Sequence, residues 1–211
     1  MHNKIDHFTI GAPGLDQGLA ALRDALGVTV PPGGKHPAMS THNRVMRTGG
    51  ESFLELIAID PEAPPPGRVR WFTLDDPATQ ARLAVRPRAL CWVVGTDDLD
   101  AVVSQSPVDL GEVLPLSRGG LSWRLTVPRD GSLPEGGLIP AFIEWSPGAH
   151  PSSNMQDLGV ALKAVRLSHP EPDRLGEVLG ALQVDHLAEL AGGPRGLSFV
   201  VETPLGEVTL D

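Results

Sequence analysis

The chain has 211 residues, 41% hydrophobic and 20% charged, a size and composition that allow a substantial buried core in one domain or two small ones. A formal net charge of −9 argues against general affinity for nucleic acid or anionic membranes, both of which need a basic surface. The single cysteine cannot close an intramolecular disulfide, and no apolar run approaches membrane-spanning length, so a cytoplasmic location is expected.

Residues 5–11 are apolar and carry β-branched Ile and Thr, which predicts a strand ended by Pro13-Gly14. Leu15, Leu19, Leu22 and Leu26 then follow helical spacing, with Asp16 expected as the cap and Gly27 as the stop. After the stiff loop Pro31-Pro32-Gly33-Gly34, residues 42–48 and 52–59 read as a strand pair turning at Gly49-Gly50. Pro64-Pro65-Pro66-Gly67 marks a linker, with a short helix expected over 74–84. A second strand–helix–strands series begins at Ala89. Its helix is capped by Asp97-Asp98, and its strands are expected near 112–117, 121–127 and 140–145. A weaker third copy opens with LKAVRLSHPEPD, repeats helical spacing at Leu175, Val178, Leu179 and Leu182, and closes as a hairpin near Pro204–Gly206. The organisation read from these signals is a first unit over 1–62, a linker with a short helix over 63–87, a second unit over 88–150 and a third over 151–211.

The repeat brings chemistry-bearing residues into register. Aligning Leu15-Asp16 with Leu99-Asp100 sets His7 opposite Cys91, and aligning the closing strands on Phe-aliphatic-Glu sets Glu55 opposite Glu144. The third copy has Ala164 at the His7 position, which makes that unit structural or a pocket wall. Strand side chains alternate between faces, so if the more uniformly aliphatic face packs on the helix, His7, Glu55, Cys91 and Glu144 point away from it into a concave side. Two sheets face to face would assemble one imidazole, one thiolate and two carboxylates. Arg47 or Arg124 on adjacent strands could instead neutralise the carboxylates without metal.

The segments IDHFTIG, GGKHPAMSTHNRVM, SFLELIAIDP, WSPGAHP and TPLGEV resemble the vicinal oxygen chelate superfamily, and more narrowly its glyoxalase-like domain group. That resemblance implies an α+β fold of paired βαβββ units forming curved mixed sheets around a shared cavity, to which the third copy read from the repeat adds a shorter βαββ-like unit. It implies metal ligation by His7, Glu55 and Glu144. Cys91 holds a fourth position where His or Gln is common, and it is either a ligand or a small packed hydrophobe. A divalent Zn, Ni, Co, Mn or Fe would polarise two neighbouring oxygens of a small oxygen-rich metabolite, and Glu144 or Glu55 would move the proton in a lyase or isomerase reaction. The alternative is a metal-free module that sequesters a small molecule. His36, Thr41, Asn43, Trp123 and Arg124 are the expected substrate-binding residues. The expected partner is a small molecule rather than nucleic acid or membrane, with a homodimer left open.

Overall fold

A computed structural model describes residues 2–211. Strand β1 (Lys4–Gly11) leads into helix α1 (Leu15–Leu26), then β2 (Pro32–His36), β3 (Thr41–Arg47) and β4 (Phe53–Ile59). Helix α2 (Pro77–Val85) connects to the second series: β5 (Arg88–Gly95), α3 (Leu99–Gln105), β6 (Glu112–Arg118), β7 (Leu121–Val127) and β8 (Ala141–Trp145). The third comprises β9 (Ala161–His169), α4 (Pro172–Ala181), β10 (Glu189–Gly192), β11 (Gly196–Thr203) and β12 (Gly206–Leu210).

Local chemistry accounts for most of the boundaries. Gly27 adopts the left-handed conformation (φ 72°) and its N–H returns to the Arg23 carbonyl, closing α1. The first turn of α1 is capped differently from the expectation: Gly14 is the N-cap and makes no side-chain bond, while Asp16 lies inside the first turn. There its charge still opposes the helix dipole favourably. Asp98 caps α3 by accepting from the Ala101 N–H at 2.9 Å, and Asp76 caps α2 by accepting from the Thr79 N–H at 2.8 Å.

The first two units join edge to edge in one eight-stranded mixed sheet, ordered β2-β3-β4-β1-β5-β8-β7-β6. Within each unit the first strand pairs in parallel with the last, and the units meet through the antiparallel pair β1–β5. The third unit departs from this plan. It too has three strands after its helix, one more than its expected βαββ-like pattern, but β9 lies between β10 and β11 in a separate sheet ordered β10-β9-β11-β12.

Alternation along the central strands divides the core in two. Phe8, Ile10, Leu54, Leu56, Trp92, Val94 and Phe142 face one side, where they pack with α1, α3 and the third unit's sheet; Phe8 meets Phe199 with ring centres 4.7 Å apart. Burying such side chains stabilises by about 1.5–3 kcal/mol each. The opposite, concave side is lined by Met39, Ile57, Trp71, Cys91, Val93, Trp123, Leu125 and Ile143. The third unit therefore packs on the convex face, and its sheet does not cap the concavity. No helix is long and apolar enough to cross a membrane among the described residues.

Candidate functional site

The concave side encloses a cavity of about 280 Å³. His7, His36, Asn43, Phe53 and Glu55 come from the first unit, and Arg118, Trp123, Ile143 and Trp145 from the second. Trp71 and Phe72 come from the 63–87 segment, and Pro151, Asn154 and Met155 from the approach to the third unit. The segment read as a linker is thus a wall of the cavity. Phe72 and Thr73 hold left-handed backbone (φ 58° and 57°), a conformation costly for a bulky residue, and the Thr73 N–H is pinned to the Gly131 carbonyl at 2.7 Å.

His7 and Glu55 meet on the cavity floor. Parallel pairing sets Thr9 against Glu55, and since alternate residues share a face, His7, Thr9 and Glu55 all point inward. His7 Nε2 stands 3.8 Å from Glu55 Oε2. Glu55 also accepts from Asn43 Nδ2 at 2.6 Å and from Thr9 Oγ1 at 3.2 Å. Behind His7 lies Asp6, fully buried, whose carboxylate accepts from His7 Nδ1 at 2.7 Å, His150 Nε2 at 2.9 Å and Trp145 Nε1 at 2.7 Å. Burial alone would raise the Asp6 carboxyl, but the hydrogen bonds from His150 and His7 outweigh it and hold the group at about 2. An ionised Asp6 fixes the proton of neutral His7 on Nδ1 and leaves Nε2 free to accept one in the cavity. His150 is held in turn by Ser152, with Nδ1 2.8 Å from Ser152 Oγ.

His36 forms a second polar centre at the cavity wall. Its Nδ1 lies 3.1 Å from Thr41 Oγ1 and its Nε2 2.8 Å from Arg118 Nη1. Burial pushes His36 down to about 4, so at neutral pH it is uncharged and accepts from the guanidinium. The motif glycines make room for this arrangement: a Cβ on Gly33 would fall 2.2 Å from Asn43 Oδ1, and one on Gly34 3.0 Å from Arg118 Cδ. The Gly34 N–H donates to Asn43 Oδ1 at 2.8 Å.

Several sequence expectations meet a different geometry. Glu144 is not in the cavity. Its carboxylate is clamped by Arg124, from Nη2 at 2.6 Å and Nε at 2.7 Å, and accepts from the Leu99 N–H on the convex side. The reason is register. Parallel pairing sets Val93 against Ala141, just as it sets Thr9 against Glu55, so the counterpart of Glu55 is Ala141. Glu144 lies three positions further on, and an odd offset reverses the face. Arg124 is excluded from the cavity by the same alternation, since its neighbour Trp123 points inward, and it pairs with Asp100 at 3.0 Å as well as with Glu144. Cys91 does face the concave side, but it is fully buried and does not line the cavity, and burial pushes its thiol well above the usual range, which opposes nucleophilic attack. Thr41 supports His36 and does not line the cavity.

The donor set therefore does not fit the four-position divalent metal site that the resemblance implied. The first unit brings His7 and Glu55 to the cavity, whereas the second has a fully buried thiol that does not line it and the methyl of Ala141. No group of three or more His, Cys, Asp and Glu side chains is arranged to hold a metal ion among the described residues. Asp6, His150 and Arg118 were not singled out from the sequence. Asp6 and His150 stand inside the segments IDHFTIG and WSPGAHP, which was the available signal; Arg118 offered none beyond its place before the Gly119-Gly120 turn.

Comparison with known proteins gives the same architecture. A family model described as a glyoxalase-like domain matches residues 5–183. No curated protein sequence matches significantly. Among solved structures, a hypothetical protein from Staphylococcus aureus aligns over 86% of this chain and 75% of its own, at 16% identity and TM-score 0.57. A methylmalonyl-CoA epimerase variant from Streptomyces coelicolor in complex with 2-nitronate-propionyl-CoA aligns over 68% of this chain and 98% of its own, at 22% identity and TM-score 0.43. The methylmalonyl-CoA epimerase from Mycobacterium tuberculosis aligns over 71% and 91%, at 16% identity and TM-score 0.41. With a family match spanning most of the sequence, and paired βαβββ units around a shared concavity, the chain belongs to the glyoxalase-like domain family.

Proposed function

We propose that this chain is a glyoxalase-like enzyme that moves a proton on a small oxygen-rich metabolite, with His7 and Glu55 as its acid–base pair. The observation that carries this reading is the line Asp6–His7···Glu55 on the cavity floor. A buried carboxylate holding one imidazole nitrogen leaves the other free, 3.8 Å from a second carboxylate. A carbon-bound proton presented between them can be taken by one group and returned by the other, which is the requirement of an isomerase or a lyase. Asn43 and Thr9 keep Glu55 oriented while it changes charge. No step in this reading is routed through a metal.

The test is solvent exchange. The protein is incubated in D2O with α-hydroxy-carbonyl and 2-substituted carbonyl compounds, and loss of the carbon-bound proton signal is followed by NMR. Exchange on at least one compound, abolished in His7→Ala and in Glu55→Gln, supports the reading; a parent protein that exchanges none of them contradicts it. A second reading, sequestration without chemistry, draws on the aromatic walls Phe53, Trp71, Trp123 and Trp145. Tight binding with no exchange would select it.

A further inference from the structure

We propose that Arg118 is an anion anchor, so that the cavity takes an organic carboxylate with an apolar body and recognises it without a divalent cation. The proposal builds on the acid–base reading of the same cavity and names the substrate class.

Arg118 lines the cavity from the end of β6 and has no carboxylate within 4.0 Å among the described residues. Arg68, Arg70 and Arg124, also partly buried, pair with Glu112, Asp75 and Glu144; Arg44, Arg47 and Arg88 lack a carboxylate partner too, but among the arginines of the described residues only Arg118 lines this cavity. A guanidinium drawn out of water without a counter-charge is costly, and a bound carboxylate relieves that cost. What holds Arg118 is neutral. Nη1 donates to His36 Nε2 at 2.8 Å and to Asn43 Oδ1 at 3.2 Å, which positions the fork without neutralising it. The uncharged state of His36 is part of this arrangement, since an imidazolium could not accept from the guanidinium.

Asn43 also separates the two charges of the site. Its Oδ1 accepts from Arg118 while its Nδ2 donates to Glu55 at 2.6 Å, so carboxylate and guanidinium stay apart and each keeps free capacity. A ligand carboxylate on the fork of Arg118 would leave the adjacent carbon toward His7 and Glu55, with its apolar part against Trp71, Trp123 and Trp145. At the ligand positions of the second unit stand a fully buried thiol that does not line the cavity, Cys91, and the methyl of Ala141, but the unit delivers this fixed positive charge from its hairpin.

The experiment is calorimetric titration at pH 7.5 and low salt with phenylpyruvate, phenylacetate and the neutral isostere phenylacetamide, before and after EDTA treatment. Saturable binding of a carboxylate, at least roughly tenfold tighter than the amide and indifferent to EDTA, is expected. Arg118→Met should weaken it by roughly tenfold or more, and Arg118→Lys should recover only part because an ammonium lacks the fork. Glu144→Gln, on the opposite face, should bind as the parent does. Equal binding of acid and amide, an unchanged Arg118→Met variant with a parent-like melting curve, loss of binding after EDTA, or no saturable binding of either acid at millimolar concentration would each overturn the proposal. Carboxylate binding in a parent that exchanges no carbon-bound proton supports the anchor while refuting the acid–base reading, so the two can fail separately.

Discussion

Asp6→Asn is the most informative single substitution, because it keeps the size of a buried side chain and removes only its charge and one acceptor. The carboxylate accepts from His7, His150 and Trp145 at 2.7–2.9 Å. Its displacement from 3.8 to about 2 corresponds to about 2 kcal/mol of preference for the charged form in the folded state. An asparagine has one acceptor oxygen, and its NH2 must face at least one of the three N–H donors, leaving buried groups unpaired. The expected loss at pH 7 is about 3 kcal/mol, or about 6–12 °C in Tm for a chain of this size. The pH dependence gives a second readout. Because the folded value lies below the unfolded one, the Asp6 contribution is complete above about pH 4 and is lost as pH falls toward 2. The gap between parent and variant should therefore narrow over that window. Urea unfolding followed by tryptophan fluorescence at pH 7, 4 and 2.5 measures both. A variant within 1 kcal/mol of the parent at pH 7, or a gap that does not narrow on acidification, would refute the reasoning.

Four further outcomes follow from the same geometry. His36 is held at about 4 against an ordinary 6.5, so its neutral form stabilises the fold above pH 6.5, and about 3 kcal/mol should be lost between pH 6.5 and 4; His36→Gln should flatten that part of the stability–pH curve, and an unchanged slope would contradict the assignment. Cys91 should be inert to a thiol reagent in the native protein and titrate as one thiol in guanidinium, whereas fast native labelling would mean the thiol is accessible. Glu144→Gln should cost no more than about 1 kcal/mol, since its partner Arg124 is about one-third exposed, and a larger loss in urea unfolding would contradict a surface pairing. Gly33→Ala should displace Asn43 and weaken ligand binding, because the added methyl would meet both Oδ1 and the backbone of that residue; parent-like binding would show that the motif glycines do not shape the site.

The parts of this molecule readable from sequence are those that local periodicity controls. Alternation along β1 and β4 correctly separates Phe8, Ile10, Leu54 and Leu56 from His7, Thr9 and Glu55, because each strand has one uniformly aliphatic face. The same reasoning misplaced Glu144, for the likeness of Phe53-Leu-Glu55 to Phe142-Ile-Glu144 does not fix register. Pairing does, and Ala141 rather than Glu144 lies where Glu55 lies. Arg118 could not be found in this way, since it stands 82 positions from His36 and only closure of the sheet brings them together. The wall from Trp71 and Phe72 was hidden for a related reason: proline-rich composition signals a connection, while the left-handed turn that folds it inward leaves no periodic trace. In the third unit, the short strand Glu189–Gly192 carries two small residues and little alternation, so the expected βαββ-like pattern lacks one strand.

A crystal structure of the protein grown at neutral pH with phenylpyruvate, without chelator and with a trace of zinc, tests the central claim most directly. The account predicts carboxylate oxygens within hydrogen-bond distance of the Arg118 fork, the adjacent carbon facing His7 Nε2 and Glu55, and no metal density between those two side chains. A zinc ion bound by His7 and Glu55 and chelated by the ligand, with Arg118 turned away, would contradict it.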